Sequence, residues 1–181
     1  MTFTKRILSA SALVAVMLGA AACGSAPDPA DSPFADGTLP EEATLDDTYP
    51  GITNLDPDLV AAVRAASADA AEEGIEFFVN SGWRSIEYQQ RLYDQAVQEH
   101  GSESAAARWV ATPEGSAHTT GEGIDIGYWD AAAWLQENGA RYDLCQIFDN
   151  EAWHFELREG ASVDGCPKPY WDASFDPRNS A

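Results

Sequence analysis

From residue 56 onward the apolar positions fall into short runs whose period changes several times. Leu59, Val60, Val63 and Ala66 recur at helical spacing, Pro57 suits a first turn and Gly74 a stop, so a helix is predicted over 56–71. Residues 75–80, IEFFVN, form a short continuous apolar run and read as a buried strand. Ser81-Gly82-Trp83-Arg84 then turns the chain, and Ser85 is placed to cap a helix running to about Glu99, with Tyr88, Leu92, Ala96 and Val97 on one side and Gly101 as its stop. A second short helix is expected over 102–111, followed by a loop of small and polar residues over 112–123. In Ile124-Asp125-Ile126 the period drops to two, which puts Asp125 on the face opposite its isoleucines. Residues 129–138 return to helical spacing, and 144–148 and 153–157 read as two strands of a hairpin joined at Asp149-Asn150. On the second strand Trp153 and Phe155 would face the core and His154 the opening. Helices first and strands mixed in later point to an α+β fold rather than a doubly wound parallel sheet.

The residues before this pattern differ in kind. Lys5 and Arg6 are followed by an apolar, small-residue run to Ala22, which reads as an export signal over 1–22 and is short for a membrane span. It ends Ala20-Ala21-Ala22-Cys23, which resembles the lipidation site of a bacterial lipoprotein, with Ala20 where a larger aliphatic is usual; a plain cleaved signal is the other reading. Residues 23–50 are rich in Pro, Asp, Glu, Ala and Gly, without period, and are expected to form a disordered tether. Residues 51–176, ~125 positions, suit one domain with one core, leaving 177–181 as a tail. Once Cys23 is assigned to lipid, Cys145 and Cys166 remain, and in an oxidising compartment they are expected to form a disulfide worth about 3 kcal/mol. A formal charge of -20 excludes nucleic-acid binding through a basic face.

The chain has three histidines, and two of them, His118 and His154, lie in GSAHTTGEGIDIG and NEAWHFEL beside Asp125 and Glu151. Two imidazoles, one carboxylate and a spare carboxylate are the parts of a catalytic zinc site: three ligands, an open position for water, and a base. Gly115, Gly121 and Gly123 argue for a bending loop rather than a helix around His118. Three carboxylates compete as base. Glu156 shares a strand face with His154, Glu151 should lie at the turn, and Asp149 is a third candidate. A catalytic Cys145 paired with His154 would leave His118 and Asp125 unexplained. An S-x-x-K motif, which would mark a serine nucleophile with a lysine partner, is absent, since neither Lys5 nor Lys168 follows a serine by three.

SGWRS, SAHTTGEGIDIG and EAWHFEL resemble the three signature segments of VanY-type zinc D-alanyl-D-alanine carboxypeptidases. These belong with the D-Ala-D-Ala dipeptidases, lysostaphin-like enzymes and the hedgehog domain. The likeness runs from about Asn54 to Tyr170. Ser116, His118, Gly121 and Asp125 match the middle pattern, with Gly123 in place of alanine, and Ala152 replaces the usual proline of the last. The resemblance implies one Zn2+ on His118, Asp125 and His154, Glu151 as base, and Arg84 on the developing oxyanion. Gln89 and Ser116 match positions that hold the substrate, and the fold would be a small antiparallel sheet flanked by helices. The implied substrate is the D-Ala-D-Ala end of a peptidoglycan stem peptide, reached from outside the membrane. A related dipeptidase or endopeptidase, or a non-catalytic zinc-binding module, are the competing readings.

Overall fold

A computed structural model describes residues 32–179. The expected signal over 1–22 and Cys23 lie outside the described residues. Among the described residues no helix is long and apolar enough to cross a membrane.

Helices α1 (Pro50–Thr53) and α2 (Pro57–Glu72) lead into strand β1 (Phe78–Ser81), and α3 (Ile86–His100) and α4 (Glu103–Ala106) follow. The one-turn α5 (Ala117–Thr120) feeds β2 (Gly123–Gly127), then come α6 (Trp129–Asn138), β3 (Leu144–Gln146), β4 (His154–Leu157) and α7 (Ala161–Asp164). The four strands form one antiparallel sheet in the order β1-β2-β4-β3. This is the α+β architecture that the change of hydrophobic period predicts.

The caps behave as the side-chain chemistry requires. Asp56 Oδ1 accepts from Asp58 N at 2.8 Å and Leu59 N at 3.1 Å, satisfying two of the free amides at the start of α2. Ser85 Oγ does the same for Tyr88 N at 3.1 Å in α3, and Gly101, with φ 80°, closes that helix. Leu59, Val63, Ala66 and Ala70 of α2 and Ala131, Ala132, Trp134 and Leu135 of α6 pack on Val79, Ile124, Ile126 and Phe155 from the sheet, forming the main core. Both helices lie on one sheet face, so the other is free to carry polar groups. A smaller core gathers Cys145, Ile147, Phe148, Ala161 and Ala173. The Cys145–Cys166 disulfide is present beside it, with Cα atoms 5.5 Å apart.

Several sequence expectations require correction. Residues 32–50 are not a free tether. Leu39 and Leu45 pack on the main core, Ala43 is buried, and Ala43 O accepts from Val79 N at 2.7 Å. Asp36 O accepts from Ser85 N at 2.9 Å, and its carboxylate pairs with Arg91 at 2.5 Å. Composition misled because a few apolar residues suffice once a preformed surface receives them. Residues 177–179 are likewise not a tail: Pro177–Asn179 forms a 3-10 turn that docks on the site described below. The helix expected over 102–111 stops at Ala106 and passes into a turn over 107–109. The loop expected over 112–123 contains α5, a single turn that Gly121 ends with φ 80°. Trp153 is half-buried rather than core and meets exposed Trp129 edge-to-face, ring centroids 5.8 Å apart.

Candidate metal and catalytic site

The register of the sheet builds the site. Asp125 on β2 stands opposite His154 on β4, and Ser81 on β1 stands opposite Asp125, across a bulge in β1. Alternation then sends Ile124 and Phe155, also a cross-strand pair, into the core, while Asp125, His154 and Glu156 share the other face. His118 reaches the same point from α5. Gly123 leaves room for this convergence, because a Cβ there would sit 2.9 Å from His154 Cε1 and 3.0 Å from Ala117 Cβ. The Gly123-for-alanine difference therefore has a steric meaning in this chain.

Three ligand-type atoms meet. His154 Nδ1 lies 2.9 Å from Asp125 Oδ1 and 3.2 Å from His118 Nε2, and His118 Nε2 lies 3.4 Å from Asp125 Oδ1. A tetrahedral ion with bonds of about 2.0–2.1 Å needs its ligand atoms about 3.3–3.4 Å apart, so the triangle fits with small adjustments. The far side of each ligand is also held. Gly82 O is 2.7 Å from His118 Nδ1, and a Cβ at Gly82 would lie 2.0 Å from Gly51 O, so only glycine lets this carbonyl come so close. Glu156 Oε1 is 3.1 Å from His154 Nε2. These acceptors take an N–H from each ring and leave His118 Nε2 and His154 Nδ1 as lone-pair donors. Asp125 Oδ2 accepts from Arg84 Nη2 at 3.0 Å.

The titration behaviour follows from this crowding. Burial, aided by Arg84, holds His118 below its usual range and favours the neutral ring. Burial works against ionisation of Asp125, but His118 and His154 outweigh it and keep Asp125 well below the usual carboxylate range. Burial also opposes charging His154, yet its bonds to Asp125 and Glu156 win and raise it. A metal ion arriving here therefore displaces a proton.

The two neighbouring glutamates have opposite surroundings. Glu156, 2 % exposed, meets Arg178 through both oxygens at 2.9 and 3.0 Å, Arg158 at 3.0 Å and His154. Burial opposes its charge, but these partners hold it ionised, well below the usual glutamate range. Glu151 follows the turn at Asp149-Asn150 and lines the cleft, and among the described residues its carboxylate has no hydrogen-bond partner. Burial pushes its carboxyl up to about 7, against the pull of His154. A carboxylate with free lone pairs and a pKa near neutrality can exchange a proton; one locked between two arginines cannot. Asp149 is exposed and does not line the cleft.

Arg84 is clamped. Its Nε donates to Ser81 Oγ at 2.8 Å and its Nη1 to Gln89 Oε1 at 3.1 Å, besides the bond to Asp125. Gln89, fully buried, donates on to Ala111 O at 2.9 Å, so its amide orients Arg84 rather than reaching freely for a ligand. Ser116 lines the cleft at the start of α5, and its side chain makes no cap bond there. Leu92, Trp109, Phe148 and Trp153 supply the apolar walls of a cavity of about 260 Å³. Sequence reasoning missed Arg178, Arg158 and Gly82. The carbonyl of Gly82 is set only by backbone path, and Arg178 sits in a segment with no motif to mark it.

The family model for VanY, D-alanyl-D-alanine carboxypeptidase, matches residues 52–159. A D-alanyl-D-alanine carboxypeptidase of Enterococcus faecalis is 31 % identical over 128 residues, 56 % of this chain and 47 % of that protein. The chain thus spans about half the length of this curated relative. Among solved structures, the vancomycin resistance D,D-pentapeptidase VanY in complex with Zn(II) is 25 % identical, covers 61 % of this chain and 76 % of its own, and superposes with a TM-score of 0.56. The LD-carboxypeptidase LdcB, 23 % identical over 76 % of this chain and 75 % of its own, shares the fold with a TM-score of 0.58.

Proposed function

Because the chain belongs to the VanY family of D-alanyl-D-alanine carboxypeptidases, we propose that it is a zinc-dependent enzyme removing the terminal D-alanine of peptidoglycan stem peptides. The observation that carries this reading is the pairing of three convergent ligand atoms with a half-buried Glu151, unpartnered among the described residues, and a clamped Arg84 in one cleft. The fit of the ligand triangle and the donor set of two imidazoles and a carboxylate favour zinc.

His118, Asp125 and His154 would hold the ion, which when bound supplies Lewis-acid activation of the scissile carbonyl and of water. Glu151 accepts a proton from the attacking water and delivers it to the leaving amine nitrogen. In the metal-free chain burial raises its carboxyl to about 7, so this carboxyl can both hold and release a proton near neutral pH. Arg84 donates to the carbonyl oxygen as its negative charge grows. Its three bonds to Ser81, Gln89 and Asp125 fix the guanidinium beforehand, so little reorganisation accompanies the reaction. Ser116 is offered to the substrate backbone or its terminal carboxylate, and the apolar walls exclude bulk water from the reacting bond.

The positive start at Lys5 and Arg6, the apolar run and Cys23 support an exported protein held to the outer membrane face through lipid on Cys23. The stem peptide lies on that side, and a disulfide suits that compartment. Zinc-loaded Glu151→Gln protein tests the assignment. It is expected to keep zinc while kcat/KM on a stem pentapeptide falls about 10²–10⁴-fold. Undiminished activity in that variant removes Glu151 as base.

A further inference from the structure

Residues 160–179 lie beyond the part of the chain that the family model matches, yet they enter the site. We propose that this segment is a working strap: its Arg178 positions the ligand His154, acting through Glu156. The proposal rests on the reading of His154 as a metal ligand.

The strap is fastened at several independent points. Cys166 is bonded to Cys145 of β3. Tyr170 N donates to Ile147 O at 2.9 Å, and Asp149 N donates back to Tyr170 O at 2.8 Å. Buried Asp172 accepts from Arg108 Nε at 3.1 Å, and Ala173 fills the smaller core. Asn179 closes the end, accepting from Thr112 N at 3.2 Å and donating to Ala173 O at 3.1 Å. Such fastening leaves Arg178 little freedom. Asp176, itself buried, accepts from Arg178 Nε at 2.9 Å and aims the guanidinium fork at Glu156.

The fork is the operative feature. Nη1 meets Glu156 Oε2 at 3.0 Å and Nη2 meets Oε1 at 2.9 Å, which fixes the plane of the carboxylate as a single contact cannot. Oε1 is also the oxygen that faces His154 Nε2 at 3.1 Å. A relay therefore runs Asp176–Arg178–Glu156–His154 and ends at the Nδ1 lone pair in the ligand triangle. Holding the N–H of a ligating imidazole fixes both its tautomer and its ring plane. Arg158 approaches Oε2, the oxygen away from the ring, at 3.0 Å without the two-pronged contact that Arg178 makes, so it neutralises charge without setting that plane. A plain structural salt bridge would brace the strap to the sheet but would not touch the donor strength of His154.

Zinc affinity of the full chain, measured by chelator competition at fixed pH, tests this. Arg178→Ala is expected to weaken zinc binding about 10–100-fold, Arg178→Lys by less, and Arg158→Ala least of all. Arg178→Ala combined with Glu156→Gln should lose little more than Glu156→Gln alone, because both interrupt one relay. Wild-type zinc affinity in folded Arg178→Ala, while His154→Ala has lost zinc, overturns the positioning role and leaves the site reading intact. Wild-type affinity in His154→Ala overturns the site reading instead. Failure of both Arg178 variants to fold also overturns the proposal, since a positioning residue is dispensable for folding.

Discussion

Ile124, Ile126 and Phe155 lie on one face of the β2–β4 pair, and Asp125, His154 and Glu156 lie on the other. None of the six is more than 7 % exposed. The same burial has opposite consequences on the two faces. On the apolar face it is the stabilising force itself, worth about 1.5–3 kcal/mol for a large side chain. On the polar face it penalises every charge, and the structure answers with pairing: Arg84 on Asp125, Arg178 and Arg158 on Glu156, Gly82 O on His118. Among the described residues the carboxylate of Glu151, beside that face, has no hydrogen-bond partner, and burial raises its pKa. One strand period thus separates a core that needs no partners from a site that is stable only through them.

The largest test of this contrast is removal of the metal. Chelation should abolish peptidase activity and added zinc should restore it, while far-ultraviolet circular dichroism changes little, because the apolar face holds the sheet. Folding that collapses with zinc removal would place the metal in the structural role instead. On the other face, Phe155→Ala should lower unfolding free energy by about 3–5 kcal/mol in denaturant titrations, exceeding any single change among the metal ligands in the zinc-free protein.

Glu151 sharpens the comparison through pH. Its carboxyl is raised from 4.5 to about 7 in the folded chain, so the folded state holds a proton that the unfolded state has lost between those values. Its contribution therefore falls as pH rises through that window and is fully unfavourable above it. Glu151→Gln should stabilise the zinc-free protein by roughly 1–3 kcal/mol at pH 8, and by little near pH 4, in urea melts at the two pH values. Equal stability of the two proteins at pH 8 would mean that Glu151 has a partner after all. The smallest effect concerns a local cap far from either face: Asp56→Ala should cost about 1 kcal/mol without altering zinc affinity.

Much of this was legible before any coordinates, for reasons tied to range. The helix predicted over 56–71 and found at Pro57–Glu72, the Ser85 cap of the next helix and the alternation that turns Asp125 from Ile124 and Ile126 are encoded by residues a few positions apart. The hairpin of 144–148 with 153–157 was legible, but the placing of β2 between β1 and β4 was not. What stayed hidden is long-range. Residues 32–50 pack through a handful of apolar side chains onto a surface made elsewhere, and Arg178 meets Glu156 across 22 positions of chain. The resemblance already implied Glu151 over Glu156, although alternation alone favours Glu156; the arginines around Glu156 add the physical reason that its lone pairs are taken.

The central claim is that this cleft removes one D-alanine from a stem peptide with help from a bound ion. Mass spectrometry of a pentapeptide ending in D-Ala-D-Ala, incubated with the protein, reads that directly. The account predicts a tetrapeptide shorter by one alanine residue, absent with chelator and recovered with zinc. Release of an intact D-Ala-D-Ala dipeptide, or the same cleavage undiminished by chelator, would contradict it.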